Sequence, residues 1–128
     1  MRRSVAGIAW QGGRLFLARR KPGGVNSRLW EFPGGKVDAG ESPAESLARE
    51  FFEELGVAIT VGELLATGSF RHRNIDFRLE AYRITLSSAD FQLHEHEKTG
   101  WFTPEEAEAL PLVPSDRDIL PELRRSLS

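Results

Sequence analysis

The chain has 128 residues, 40% of them apolar and 28% charged, which is enough to bury the core of one domain and too little for two ordinary ones. A net charge of −2 and a pI near 5.9 argue against duplex DNA as a partner, since nonspecific duplex binding needs a basic field. The lack of cysteine excludes disulfides, thiolate zinc sites and cysteine nucleophiles, fits a cytoplasmic protein, and leaves oxygen or imidazole to hold any metal.

Residues 3–10 and 14–20 read as two strands joined by the turn "QGG", whose glycines accept positive φ, so they form a hairpin. The apolar run "VAGIAW" is broken too soon for a signal core or a membrane span, and no membrane partner is expected. "KPGGVNS" is loop, and "LWEFP" is a short extended piece.

The next stretch, "GGKVDAGESPAESLAREFFEELGV" from Gly34 to Val57, holds six acids. Ser42 and Glu45 form a capping box, Pro43 suits a first helical position and Gly56 a left-handed cap, so the spacing predicts a helix over Pro43–Leu55. At about 100° per residue, Ala44, Leu47, Ala48, Phe51, Phe52 and Leu55 share one arc, which is expected to face the core. Glu50, Glu53 and Glu54 share the adjacent arc. Held together near the negative end of the helix dipole, these carboxylates repel at roughly a few tenths of a kcal/mol per contact. The arc is either a solvated face or a site for a divalent cation. Carboxylates are hard ligands, and magnesium characteristically bridges one or two of them to substrate phosphates.

"ITVGELLATGSFRH" and "IDFRLEAYRITL" alternate as two further strands, the second placing Ile75, Phe77, Leu79 and Ala81 on one face. "SSADFQLHEHEK" reads as polar loop, "TGWFT" as a short strand and "TPEEAEAL" as a short helix capped by Thr103 and Glu106. "PSDRDILPELRRSLS" supplies a last helix, interrupted or bent at Pro121. Strands on both sides of helices predict an α+β class, a mixed β-sheet flanked by helices.

Gly35, Glu41, Arg49, Glu50, Phe51, Glu53, Glu54, Gly56 and Val57 stand at spacings that resemble the Nudix box over 35–57. The seven identities among them occur by chance on the order of 10⁻⁸ times per starting position. Phe51 departs from the pattern, where the family usually has an aliphatic residue. Outside the box, "LFLARR", "WEFPGGK", "LHEHEKTGWFTPEEAEALPL" and "PSDRDIL" resemble the MutT-like branch, especially the CTP pyrophosphohydrolase and 8-oxo-dGTP diphosphatase types. The resemblance implies one domain over residues 1–128 with the Nudix α/β/α sandwich. It also implies hydrolysis of nucleoside triphosphates, oxidised or cytidine nucleotides among them, to the monophosphate and pyrophosphate, with Mg2+ or alternatively Mn2+.

The resemblance further assigns residues. Glu50, Glu53, Glu54 and the backbone carbonyl of Gly34 bind metal, joined by Glu95, six residues before Trp101. Glu50 binds metal or positions the attacking water, Arg49 orients the glutamates, and Glu41 pins the loop. Arg20, Gly35, Lys36, Phe32 and Asp116 are the substrate-binding candidates.

Read as residues alone, several of these keep a second meaning. "HEHEK" is a solvated loop or, through His94 and His96, a zinc site, and His94, His96 and Glu97 stay undecided. Arg20 also reads as surface charge, and Phe32 as a core aromatic or an apolar wall for a base. Asp116 is a first-turn acid of the last helix or an acceptor for cytosine N4 or guanine N1/N2. "RHRN", 71–74, is a basic hairpin tip or a loop near the base, and Asp38 has no assigned role. The alternative functions are hydrolysis of ADP-ribose, a dinucleotide polyphosphate or an RNA 5′-triphosphate end, a non-catalytic nucleotide sensor, and a lesion-reading module, which the acidic pI disfavours. A monomer and a homodimer are equally compatible with the sequence.

Overall fold

In β1 (Arg2–Gln11), six consecutive residues from Ser4 to Ala9 are buried, as suits a strand covered on both faces. The structure, a computed structural model, describes residues 1–127. β1 runs parallel to β6 (Ile75–Leu86) from Arg2 to Ala9 and antiparallel to β4 (Gly34–Lys36) on its other edge. β2 (Arg14–Arg20) follows the Gly12–Gly13 turn, where φ is 57° and 75°.

The expected hairpin is present but brief, pairing only Trp10 with Leu15 and Gln11 with Arg14. Beyond that point β2 leaves β1 to lie between β3 (Trp30–Glu31) and β7 (His96–Phe102). β1 prefers β6 and β4 because its apolar run needs neighbours on both edges and cover on both faces. β5 (Ile59–His72) completes the sheet against β6, turning at Arg73 and Asn74 with φ 49° and 63°.

α1 (Pro43–Leu55) lies on one face of the sheet, over Val5, Ala9, Phe16 and Ile84. α2 (Pro104–Ala109) and α3 (Pro114–Leu127) cover the opposite face, which holds Ala6, Ile8, Leu15, Leu17, Leu79 and Ala81. The result is an α/β/α sandwich with a mixed sheet. Both capping boxes form as the sequence predicts, and Gly56 takes the left-handed cap at φ 69°.

Three expectations change. Ala44 and Phe52 face solvent, Phe52 at 67% exposure, because α1 meets the sheet through the narrow stripe Leu47, Phe51 and Leu55. "GGK" forms a strand, since β1 offers it an open edge. The seventh strand starts at His96, inside the stretch read as polar loop, because β2 carries partners for it as far as Arg20. α3 passes unbroken through Pro121, which is exposed; the helix was expected to reach Ser128, which lies outside the described residues. Among the described residues no helix is long and apolar enough to cross a membrane.

Candidate active site

Arg49 organises the loop between β4 and α1. Its Nε and Nη2 donate to the two oxygens of Glu41 at 2.8 and 3.0 Å, and its Nη1 donates to Glu50 Oε1 at 2.9 Å and Glu53 Oε2 at 3.3 Å. Asp38, without a role in the sequence, pairs with the same guanidinium at 3.3 Å. The fork geometry of arginine makes this possible where a lysine point charge would not. The hydrogen bond to Glu41 leads in holding Arg49 above its ordinary pKa, and the reciprocal contact holds Glu41 below the usual carboxylate range.

β4 supplies the backbone wall. Gly7 N–H donates to Pro33 C=O and Val37 N–H to Arg3 C=O, so Gly34 and Lys36, opposite Ala6 and Ser4, turn their own carbonyls away from β1. The Lys36 carbonyl accepts from Ser46 Oγ at 3.1 Å, which fixes that edge against α1. A Cβ on Gly35 would stand 2.7 Å from the Glu50 carboxyl carbon, and one on Gly34 would strike the Val5 carbonyl oxygen at 1.9 Å. Both positions exclude side chains for contact reasons, one against the acidic face and one against the sheet.

Glu54, 6% exposed, points inward where Glu50 and Glu53 do not. Burial first, then the Glu50 carboxylate and the charges of Glu31 and Glu95, push its carboxyl up to about 10. Around it lie the ends of three strands. Arg20 Nη1 donates to Glu31 Oε2 at 3.1 Å, and Arg20 Nη2 stands 3.8 Å from Glu95 Oε2. His96 Nε2 lies 2.7 Å from Glu31 Oε2 and 3.9 Å from Glu54 Oε1. Donor atoms of Glu31, Glu54 and His96 all fall within 4.8 Å of one another, and Glu54 Oε2 and His96 Nδ1 are buried with no hydrogen-bond partner among the described residues. An orphan carboxylate oxygen in so acidic a cluster fits a divalent cation.

Two of the substrate-side candidates, Phe32 and Asp116, are in direct contact. Phe32 is buried in the core, and its backbone N–H donates to Asp116 Oδ2 at 3.0 Å. Asp116 occupies the first turn of α3, and burial first, then the Glu31 charge, raise its pKa well above the ordinary value. The Lys36 ammonium lies over the Phe77 ring at 5.2 Å, beside a cavity of about 420 Å3 lined by Arg2, Arg3, Lys36 and Phe77. Arg71 to Asn74 form the β5–β6 tip, where Arg71 stands 3.8 Å from Asp76. His94 and His96 do not act as a pair: His94 is exposed and His96 fully buried.

Glu31 is the residue that sequence reasoning missed. Its signal is a period of two, since Trp30 and Phe32 are both buried in the core under α2 and α3, which turns Glu31 to the opposite side, toward α1.

Comparison with known proteins bears on the family and the fold. The chain is 39% identical over 116 residues to the CTP pyrophosphohydrolase of Escherichia coli, covering 91% of this chain and 86% of that protein. It is 36% identical over a 128-residue alignment to the putative 8-oxo-dGTP diphosphatase 2 of Mycobacterium tuberculosis, covering 97% and 89%. The solution structure of the E. coli ORF135 protein superposes with a TM-score of 0.89 at 36% identity, over 100% of this chain and 91% of that one. The MutT protein from Methanosarcina mazei Go1 does so with a TM-score of 0.87 at 27% identity, over 99% and 95%. A family model of the NUDIX domain matches residues 1–123, and the chain belongs to the Nudix hydrolase family.

Proposed function

We propose that the protein is a magnesium-dependent nucleoside triphosphate pyrophosphohydrolase that converts (d)NTPs, oxidised or cytidine nucleotides among them, to the monophosphate and pyrophosphate. The observation that carries this reading is the set Arg49, Glu50, Glu53 and Glu54 folded against Gly34 and Gly35, with Glu54 buried among like charges. The names of the relatives, a CTP pyrophosphohydrolase and a putative 8-oxo-dGTP diphosphatase, support the triphosphate substrate.

Glu50, Glu53, Glu54 and the Gly34 carbonyl would hold the cation, with Glu95 at the rim. A magnesium ion there would supply positive charge for the triphosphate oxygens and would acidify water. Arg49 keeps Glu50 and Glu53 in place before substrate arrives, so little reorganisation is left for the reaction. Burial and neighbouring charges make Glu54 hold a proton more tightly than an ordinary carboxyl, so its ionised form, which a bound cation would favour, is the stronger base toward the attacking water. As that water adds to phosphorus, the bridging P–O bond between the monophosphate and the pyrophosphate breaks. Arg20 and Lys36 supply positive charge for the phosphate chain. Asp116, already accepting from Phe32, offers further acceptor capacity to cytosine N4 or guanine N1/N2.

The test is a screen of CTP, dCTP, 5-methyl-dCTP, dGTP, 8-oxo-dGTP, ADP-ribose and triphosphorylated RNA, comparing kcat/KM with and without Mg2+ and assaying pyrophosphate. A triphosphate should rank first, with turnover dependent on the metal. Glu53→Gln, at an exposed position, should stay folded and lose turnover by orders of magnitude. A preference for ADP-ribose or RNA, or full activity in Glu53→Gln, overturns the assignment.

A further inference from the structure

We propose that Glu31 and His96 join Glu54 in a nitrogen-containing metal subsite, at the inner end of the acidic face, that takes a borderline divalent ion such as Mn2+ or Zn2+. It rests on the proposed hydrolase function only in sharing Glu54.

The arrangement of donors is the reason. His96 is wholly buried at the start of β7, opposite Arg20 in the β2–β7 ladder. Its Nε2 stands between two carboxylates, 2.7 Å from Glu31 Oε2 and 3.9 Å from Glu54 Oε1. A single N–H on that nitrogen serves one of them. Among the described residues Glu54 Oε2 is left buried without a donor, and a buried unsatisfied carboxylate oxygen is expensive. One dication held by Glu31, Glu54 and His96 Nε2 gives the Glu54 carboxylate the partner it lacks. Ligand bonds of about 2.0–2.2 Å set tetrahedral donors roughly 3.3–3.6 Å apart. The two separations from His96 lie on either side of that range, and the Glu31 and Glu54 donors lie within 4.8 Å of each other.

The chemistry also separates this subsite from the rest of the face. Glu50, Glu53, Glu95 and the Gly34 carbonyl offer only hard oxygen, which suits magnesium. An imidazole shifts preference toward manganese and zinc. Arg20 and Glu95 form the outer rim, with side chains 34% and 58% exposed. His94, exposed and outside the donor cluster, takes no part.

Pulsed electron paramagnetic resonance at saturating Mn2+ reads the nitrogen directly. Echo modulation from a coupled 14N nucleus is expected in the unmodified protein and in His94→Gln, replaced by the 15N pattern on labelling with [15N]histidine, and absent in His96→Gln. Because the labelling experiment uses the unmodified protein, the identification of a histidine ligand does not depend on His96→Gln folding, and His94→Gln sets His94 aside. Glu31→Gln should weaken Mn2+ or Zn2+ binding about tenfold or more by calorimetry. Saturating Mn2+ without nitrogen modulation overturns the subsite and leaves the hydrolase reading intact. Nitrogen modulation in a protein that turns over no nucleotide keeps the subsite and removes the hydrolase reading.

Discussion

At Gly35 the neighbouring Glu50 carboxylate oxygens would lie 2.8 and 2.9 Å from an added Cβ, closer than real side-chain carbons come. The backbone there has no left-handed φ, so alanine suits the local conformation, and the strain falls on the end of the Glu50 side chain. Glu50 is held by Arg49 at 2.9 Å, and displacing it undoes that contact without removing an apolar group from the core. Gly35→Ala should therefore keep a melting temperature within a few degrees of the parent while kcat falls at least about tenfold. Circular dichroism melts beside steady-state hydrolysis check this, and unchanged turnover with a large loss of stability would place the strain in β4 instead. Gly34 is the opposite case, because what its Cβ would meet is the Val5 carbonyl, part of the sheet itself.

At the scale of elements, the departure at Phe51 finds its explanation in another strand. A Cβ on Gly7 of β1 would lie 2.5 and 2.7 Å from two Phe51 ring carbons and 3.2 Å from Ile84 Cδ1, so the glycine makes room for the ring. Gly7→Ala should cost about 1–3 kcal/mol by overpacking. Adding Phe51→Leu should recover part of that loss, since the two positions touch and cannot be additive. Urea unfolding of the single and double variants measures the coupling; strict additivity would show that the contact does not govern the packing. The limits of α1 were legible because caps are local: Ser42, Pro43, Glu45 and Gly56 specify them within the segment itself. Strand partners are not local. Nothing between Gln11 and Arg14 tells that β1 will abandon β2 for β6, and nothing within "HEHEK" tells that β2 is waiting at Arg20. Phe52 faces solvent for a related reason, since periodicity gives the arc but only the sheet decides how wide a part of it is covered.

Across the whole molecule, Arg49, Glu50, Glu53 and Glu54 were readable because one helix carries them, whereas Glu31 and His96 reach the cluster from separate strands. That assembly leaves the fold with acids buried against their preference, and its stability should vary with pH accordingly. Glu54 is pushed up to about 10 in the folded protein from an ordinary 4.5, and Asp116 is raised well above 3.8. Above an unfolded-state pKa near 4.5, the unfolded chain has released protons that the folded protein still binds, so stability falls as pH rises through the window from about 4.5 to about 10. A divalent cation acts the other way, because it binds the folded carboxylates in their ionised form and gains affinity as protons leave. In excess EDTA the melting temperature should therefore decline from pH 5 to pH 9, and in excess Mg2+ the decline should shrink or reverse. Glu54→Gln should flatten the EDTA curve, leaving the smaller slope due to Asp116, and should lose much of the stabilisation by Mg2+. A melting temperature in EDTA that rises over the same range would mean that Glu54 ionises freely in the fold, and the strained acidic face inferred here would have to be given up.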